Sequence, residues 1–481
     1  VDLHDSFPNF PYVAHLRTHS PIRGLACTDV TDEPQPSGSD PADSASPDSG
    51  MLTERHASWA ELFFDLVAVA GVAGLAHVLA GEFGPLAPAL YVALFLAFWM
   101  TWLIFTLYGN SAGSELRLVR LLIGMFGLGV MAAAIPGVTE AVLHHETTDG
   151  AWLAANAFAL AYVIARWFGA QSWRGGQLVT DFPIAQQTLG ILPWVVSLWV
   201  DGEAKLALWG LGLAIDVGGL IIINGSRMLA SYQRRADEMR RRVDRSAQQG
   251  PLPVHHDRRG NRRTALDRLE AMRVGSVRLD PEHLAERLGL FVIIVLGEGI
   301  IQMVRTSWEV PWDRGLLGAG LVGFLLLVGL FTLSLLYGHA GIPYLRPGVL
   351  GIRVTLALHF VVAGSIAALA TALAETIEVA GQPLPTAQRW LMCAAVMIYF
   401  GVGLIAAVAG GNRRRRSLVP WVIAGIVLPA IIGATADQTR GTTVAWYVAA
   451  VLLWHILAAR RRRRGDRTDI PDGVSPPTAE K

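Results

Sequence analysis

Glu61 and Asp65 stand four residues apart inside one long apolar run, and Arg287 and Glu298 stand eleven apart inside another. The first run, SWAELFFDLVAVAGVAGLAHVLAG, covers 58–81 and also holds His77; the second, LAERLGLFVIIVLGEGIIQMV, covers 284–304 and also holds Glu286. On a helix, a spacing of four puts two carboxylates about 40° apart on one face. A spacing of eleven puts an arginine and a glutamate on one face, about 16 Å apart along the axis. Both runs are long enough to cross a bilayer, where each ionisable group costs roughly 2.5 kcal/mol or more on insertion scales. A chain that keeps such groups uses them or buries them against partners. The chemistry open to them is narrow: acids and imidazoles removed from water exchange protons, and carboxylate oxygens coordinate cations.

Two further groups fall deep in apolar runs. Asp216 precedes Gly218 and Gly219, and His359 sits near the middle of its run. Glu298 itself lies between Gly297 and Gly299, which allow close helix contact or local unwinding. Asp65, Asp216, Glu298 and His359 are therefore expected to meet inside a helical bundle as a proton, cation or small-solute pathway, with Glu61 beside Asp65 at its mouth. The competing reading is internal ion pairing. It places Arg287 or Arg353 against Glu61 or Asp65, with Glu286 in the same structural role. His77 and His455 read as helix-end or interfacial histidines. The pairs His144–His145 and His255–His256 have no partner at metal-ligand spacing. Cys27 and Cys393 suggest no disulfide and no thiolate metal site. No metal or cofactor is expected. The sequence has no HExxH, G-x-S-x-G or Asp-rich metal motif, so an enzyme is the weaker reading.

The elements that must position these groups are membrane helices. The chain of 481 residues is 52% hydrophobic and 16% charged, with a mean hydropathy of +0.40, whereas soluble domains carry about 25% charged residues. Twelve segments are predicted to span the bilayer: 58–81, 86–108, 116–136, 150–171, 184–200, 204–224, 284–305, 315–338, 349–373, 388–410, 418–436 and 442–459. The predicted fold is an all-α polytopic transmembrane bundle. Of the 40 basic residues only Lys205 and Lys481 are lysines.

The arginines orient the spans. One face collects Arg117, Arg120, Arg166, Arg174, Arg346, Arg353, the runs at 413–416 and 460–464, and the loop between the sixth and seventh spans; the other receives Lys205, Arg305, Arg314, Arg389 and Arg440. The positive-inside rule then puts both termini in the cytoplasm and the protein in the inner membrane. Anionic lipid is the expected partner of the basic clusters, and no nucleic-acid motif accompanies them.

The chain divides by composition. Residues 28–50 are acidic and rich in Pro and Ser, so 1–50 reads as a disordered tail without a signal-peptide core. A second reading has translation begin at Met51. Residues 51–225 form a first half of six spans and 282–459 a second. Between them, 226–281 is a basic insert with one helix expected over 227–249 and another over 264–272; residues 460–481 form a basic and then disordered tail. Four correspondences suggest a parallel six-plus-six duplication. LYGNSAG at 107–113 answers LYGHAG at 336–341, Arg120 answers Arg353, Pro193 answers Pro429, and His56 with Glu61 answers His283 with Glu286. A proline-interrupted span in each half marks either a binding site between the halves or a pair of kinks.

RHASWAELFFDLVAVAGVAGLAH at 55–77 and HLAERLGLFVIIVLGEGII at 283–301 resemble, in wording and order, the motifs of the low temperature requirement protein A (LtrA) family of bacterial membrane proteins. The resemblance covers about 51–459 and makes Glu61, Asp65, Glu286, Arg287 and Glu298 the family's motif positions. The sequence departs from it after the second span, where GNSAGSELRLVR keeps only Glu115 of an acidic stretch, and in the length of the 226–281 insert. The resemblance implies a link to growth in the cold. Three functions follow: a proton- or cation-coupled transporter or ion pathway, a sensor or scaffold for cold or envelope stress with the insert as output, and a lipid-modifying enzyme.

Overall fold

In a bilayer an apolar segment satisfies its backbone only by bonding within itself, so each long apolar run becomes a helix. The computed structural model describes residues 58–80, 84–111, 114–143, 148–172, 177–179, 182–249, 255–256, 262–263, 275–277, 279–338, 351–409, 415–436 and 438–468. The N-terminal tail and the helix expected over 264–272 lie outside the described residues.

The first-half helices are α1 (Trp59–Ala76, extended by a 3-10 turn His77–Leu79), α2 (Leu86–Ser111), α3 (Ser114–Leu143), α4 (Asp149–Ser172), α5 (Ile191–Val196) and α6 (Glu203–Ile222). Helix α7 (Gly225–Gln249) begins the basic insert, close to its expected bounds. The remaining helices are α8 (Pro281–Ser307), α9 (Arg314–Phe331, closed by a π-helical turn Thr332–Leu336), α10 (Ile352–Glu378) and α11 (Thr386–Ala409). Then come α12 (Arg415–Val422), a π-helical turn Ile423–Val427, α13 (Leu428–Thr435) and α14 (Gly441–Thr468). Among the described residues, eleven helices are long and apolar enough to cross a membrane. Helix α14 runs nine residues past the expected span end, through the arginines at 460–464.

The predicted span 184–200 is not one helix. Pro183–Gln186 is a 3-10 turn, α5 has six residues with Pro193 inside, and Ser197–Trp199 is again 3-10. The segment nevertheless returns the chain across the bundle. Helices α4 and α6 run parallel, because Lys205 near the start of α6 meets Asn156 near the start of α4, and Asp216 meets Arg166 further along both. The intervening segment runs opposite to them: Gln187 contacts Met228, Gly190 abuts Asp216, and Ser197 meets Trp209 and Lys205. Among the described residues, eleven continuous candidate spans and one broken one thus account for about twelve crossings. The eleventh crossing carries Pro429 yet stays continuous. The π-helical turn before it accommodates the N–H that proline lacks and the bulk of its ring.

Helices α1 and α8 start side by side at the end of the bundle that carries Arg120, Arg353, Arg460 and Arg461, called here the basic end. Helix α1 packs on α2, α3 and α8, and α8 packs on α10, so first-half and second-half helices share one core within a single unit, Arg55–Lys481. Two short strand pairs accompany the helices: β1 (Gln177–Val179) lies parallel to β4 (Gly275–Val277), and β2 (His255–His256) antiparallel to β3 (Arg262–Arg263). Strands of two or three residues carry no alternation to read in a sequence.

Candidate functional site

Ser58 caps α1, and Glu61 closes the cap. The Ser58 N–H and hydroxyl each donate to Glu61 Oε2 at 2.8 Å, and the Glu61 N–H donates to Ser58 Oγ at 3.4 Å. This is the S-x-x-E capping box, legible in SWAE but not read there. Asp280 caps α8 in the same way, accepting from the N–H groups of Glu282 at 3.0 Å and His283 at 3.3 Å. With both starts fixed at one depth, residues one and two turns along face each other.

Asp65, fully buried, accepts two hydrogen bonds from Arg287, from Nε at 3.0 Å and from Nη2 at 2.6 Å, and a third from the Trp102 indole at 2.7 Å. A bidentate guanidinium–carboxylate pair is the strong form of ion pair. Arg287 Nη1 lies 3.6 Å from Glu61 Oε1, and His283 Nε2 lies 3.6 Å from Glu61 Oε2. Asn110, at the end of α2, ties the cluster from the side. Its amide nitrogen contacts the Asp280 carbonyl at 3.0 Å and His283 Nδ1 at 3.2 Å, and its oxygen accepts from the Asp280 N–H at 2.8 Å. With Nδ1 accepting from the amide, the neutral imidazole carries its proton on Nε2, facing Glu61.

His359 joins this cluster through aromatic rings. Its Nδ1 accepts from the Trp99 indole at 3.1 Å, its Nε2 meets the Leu288 carbonyl at 3.1 Å, and its ring stacks on Trp102 with centroids 5.9 Å apart. Both nitrogens are occupied in the neutral tautomer. A second proton would displace the Trp99 hydrogen bond.

Asp216 belongs elsewhere. It accepts from Arg166 Nη2 at 2.8 Å and from the Tyr162 hydroxyl at 3.2 Å. A Cβ added at Gly190 would come within 2.3 Å of its carboxylate, so the broken segment lies directly over it. Arg166, expected at the basic face, is instead fully buried as this partner. Lys205, expected at the opposite face, is also buried and donates to Asn156 Oδ1 at 2.7 Å.

Glu298 lies just beyond the middle of α8 and is 6% exposed. Its carboxylate accepts from Gln302 Nε2 at 3.2 Å, and among the described residues no Lys, Arg or His nitrogen lies within ion-pair distance of it. Gly299 gives α8 its close contact there, since a Cβ would come within 2.9 Å of Ala370; Gly297 faces open space, and the helix is continuous through both.

The structure thus brings Glu61, Asp65 and His359 to one cluster with Arg287, while Asp216 and Glu298 lie in two other places. Among the described residues no hydrogen bond or ion pair joins Asp216 or Glu298 to that cluster. Glu286 is half-buried next to the cluster. Arg353 does not reach Glu61 or Asp65; its Nη1 donates to the carbonyls of Leu220 at 3.0 Å and Ile223 at 2.6 Å. The end of α6 leaves those carbonyls without helical partners, which draws a cation. Trp99, Trp102, Asn110, Tyr162, Arg166 and His283 were not singled out from sequence as site residues. Only His283 and Asn110 carried a signal, as members of the repeat and resemblance motifs. Among the described residues no group of three or more His, Cys, Asp or Glu side chains is placed to hold a metal ion.

Eleven helices long and apolar enough to cross a membrane among the described residues, packed around buried charge, make this an integral, multi-pass helical membrane protein. The family model for bacterial low temperature requirement A protein (LtrA) matches residues 56–460, and the chain belongs to that family. It is also 26% identical over 292 residues to an uncharacterized protein of Rhizobium meliloti (strain 1021), a match covering 55% of this chain and 59% of the relative. The chain thus spans about three-fifths of that relative's length. No solved structure matches it.

Proposed function

We propose that the protein is a proton- or cation-coupled transporter or ion pathway of the inner membrane, with Glu298 as the exchanging group. The observation that carries this reading is the contrast among three deep carboxylates. Asp65 and Asp216 each accept from a buried guanidinium, whereas the hydrogen bond of Glu298 comes from a neutral amide. A carboxylate in a low-dielectric site is stabilised by protonation or by a bound cation, and either can leave again. In the proton case, uptake turns the carboxylate into a carboxylic acid that holds Gln302 through its carbonyl oxygen, and release restores the anion. Glu61, with Asp65 and His283, forms the mouth at the basic end.

The arginine distribution supports a cytoplasmic basic end with both termini on that side. The parallel starts of α1 and α8 accord with two six-crossing halves entering from one face. The family's name makes growth at low temperature the phenotype to read.

The test is flux in proteoliposomes under an imposed proton or sodium gradient, wild type against Glu298→Gln. Gradient-dependent flux that the substitution abolishes, with the protein still monodisperse, is the expected outcome. Equal flux in the two proteins, or none in the wild type under either gradient, overturns the reading.

A further inference from the structure

A cavity of about 560 Å³ opens in the side of the bundle between the start of α2, the middle of α10 and the start of α11. Tyr91, Phe95, Phe360, Ala368, Trp390 and Ile398 are among its walls, and no charged side chain lines it among the described residues. Its two hydroxyls are already engaged: Tyr91 donates to the Gly364 carbonyl at 2.8 Å and Ser365 to the Val362 carbonyl at 2.8 Å. Among the described residues, the indole N–H of Trp390 at the edge is the remaining polar side-chain group of the wall.

Depth, lining and an opening on the bilayer side identify the occupant. Along α11 the lining runs from Ala387 to Ile398, eleven residues, or about 16 Å. That is about half of a hydrocarbon core roughly 30 Å thick, on the side away from the basic end. An apolar wall of that depth, open toward one leaflet, matches a single hydrocarbon chain. The mouth is continuous with the bilayer-facing surface: Val92, Ile398 and Trp390 at its edge are 51%, 48% and 40% exposed. An apolar wall left without contacts forfeits dispersion energy that a neighbouring chain restores.

We propose that this groove is a binding site for one acyl chain of a bilayer phospholipid, drawn from the leaflet opposite the basic end. Its floor continues into the buried cluster through packed rings. Phe95 lies 5.3 Å from Phe360, Phe360 lies 5.4 Å from Trp99, and Trp99 donates to His359. The bound chain therefore ends one aromatic layer from His359.

The test uses the full-length protein in phospholipid vesicles containing a phosphatidylcholine with a diazirine midway along one chain, with adducts mapped by mass spectrometry after illumination. Adducts on Phe95, Phe360 or Ala368 are expected, and their yield should saturate with probe fraction. Labelling at Ile221 and Ile222, 78% and 81% exposed on α6, should rise in proportion to the probe. Val361→Trp on α10 and Ala394→Trp on α11 each fill the groove and should remove the floor adducts while leaving those on α6. An unlabelled floor, floor labelling that rises linearly like that on α6, or cross-links between two copies at these residues overturns the proposal. The saturation measurement needs only the wild-type protein, so misfolding of a filled variant does not leave the question open.

Discussion

The start and the middle of α8 present buried charge in opposite ways. At the basic end Arg287 is locked by Asp65, approached by Glu61 and backed by Trp102, so charge is matched across helices from both halves of the chain. Eleven residues further, Glu298 is nearly as buried but leans on a residue of its own helix. A matched pair ties α1 to α8 and resists change, because moving either partner strands the other in low dielectric. A carboxylate with a neutral neighbour has no such tether and can change its proton or ion. One helix therefore combines a fixed joint with an exchangeable group.

The largest effect should come from breaking the joint. Arg287→Leu strands Asp65 and should lower stability by about 3–5 kcal/mol, read as a fall in the thermal unfolding midpoint of purified protein. Adding Asp65→Leu should recover much of the loss, and a double mutant no better than the single one would mean the pair does not hold α1 to α8. Asp216→Ala strands Arg166 in the same way and should cost about 3 kcal/mol. This second joint binds α4, α6 and the segment over Gly190, so the loss should register as faster proteolysis within 182–200 and leave α8 protected.

A smaller step is Trp102→Phe. It removes one donor to Asp65 but keeps the ring beside Phe291 and His359, for an expected loss of about 1–3 kcal/mol. The smallest effect on stability belongs to Glu298→Gln, which removes a buried charge without stranding a partner. Its unfolding midpoint should stay within about 0.5 kcal/mol of wild type or rise, even as flux is lost. A drop as large as that of Arg287→Leu would make Glu298 part of a further joint and erase the contrast along α8.

Much of this was legible in the residues. Apolar run length marked the spans, and the broken crossing at 184–200 was visible as a span interrupted by Pro193, although not with its two 3-10 turns. Asp65, Asp216, Glu298 and His359 stood out because charge is rare at such depth, and internal pairing of Arg287 with Asp65 was one of two readings. Hydropathy assigned Arg166 to a surface, because a guanidinium near a span end looks the same whether it snorkels outward or turns inward to an acid 50 residues away. Trp102 and Trp99 were lost among 15 tryptophans that interfacial belts explain equally well.

Sequence alone determined that the chain crosses the membrane as helices, roughly where, and that Asp65, Asp216, Glu298 and His359 go in with it. Those are local properties, set by backbone bonding within each run and by the cost of burying each group. Only the tertiary structure decided which charges are matched. Arg287 and Asp65 are 222 residues apart, and Trp99 and His359 are 260 apart. Whether such groups meet depends on how whole helices pack, and a deep carboxylate is a joint or an exchange site according to what the neighbouring helix brings.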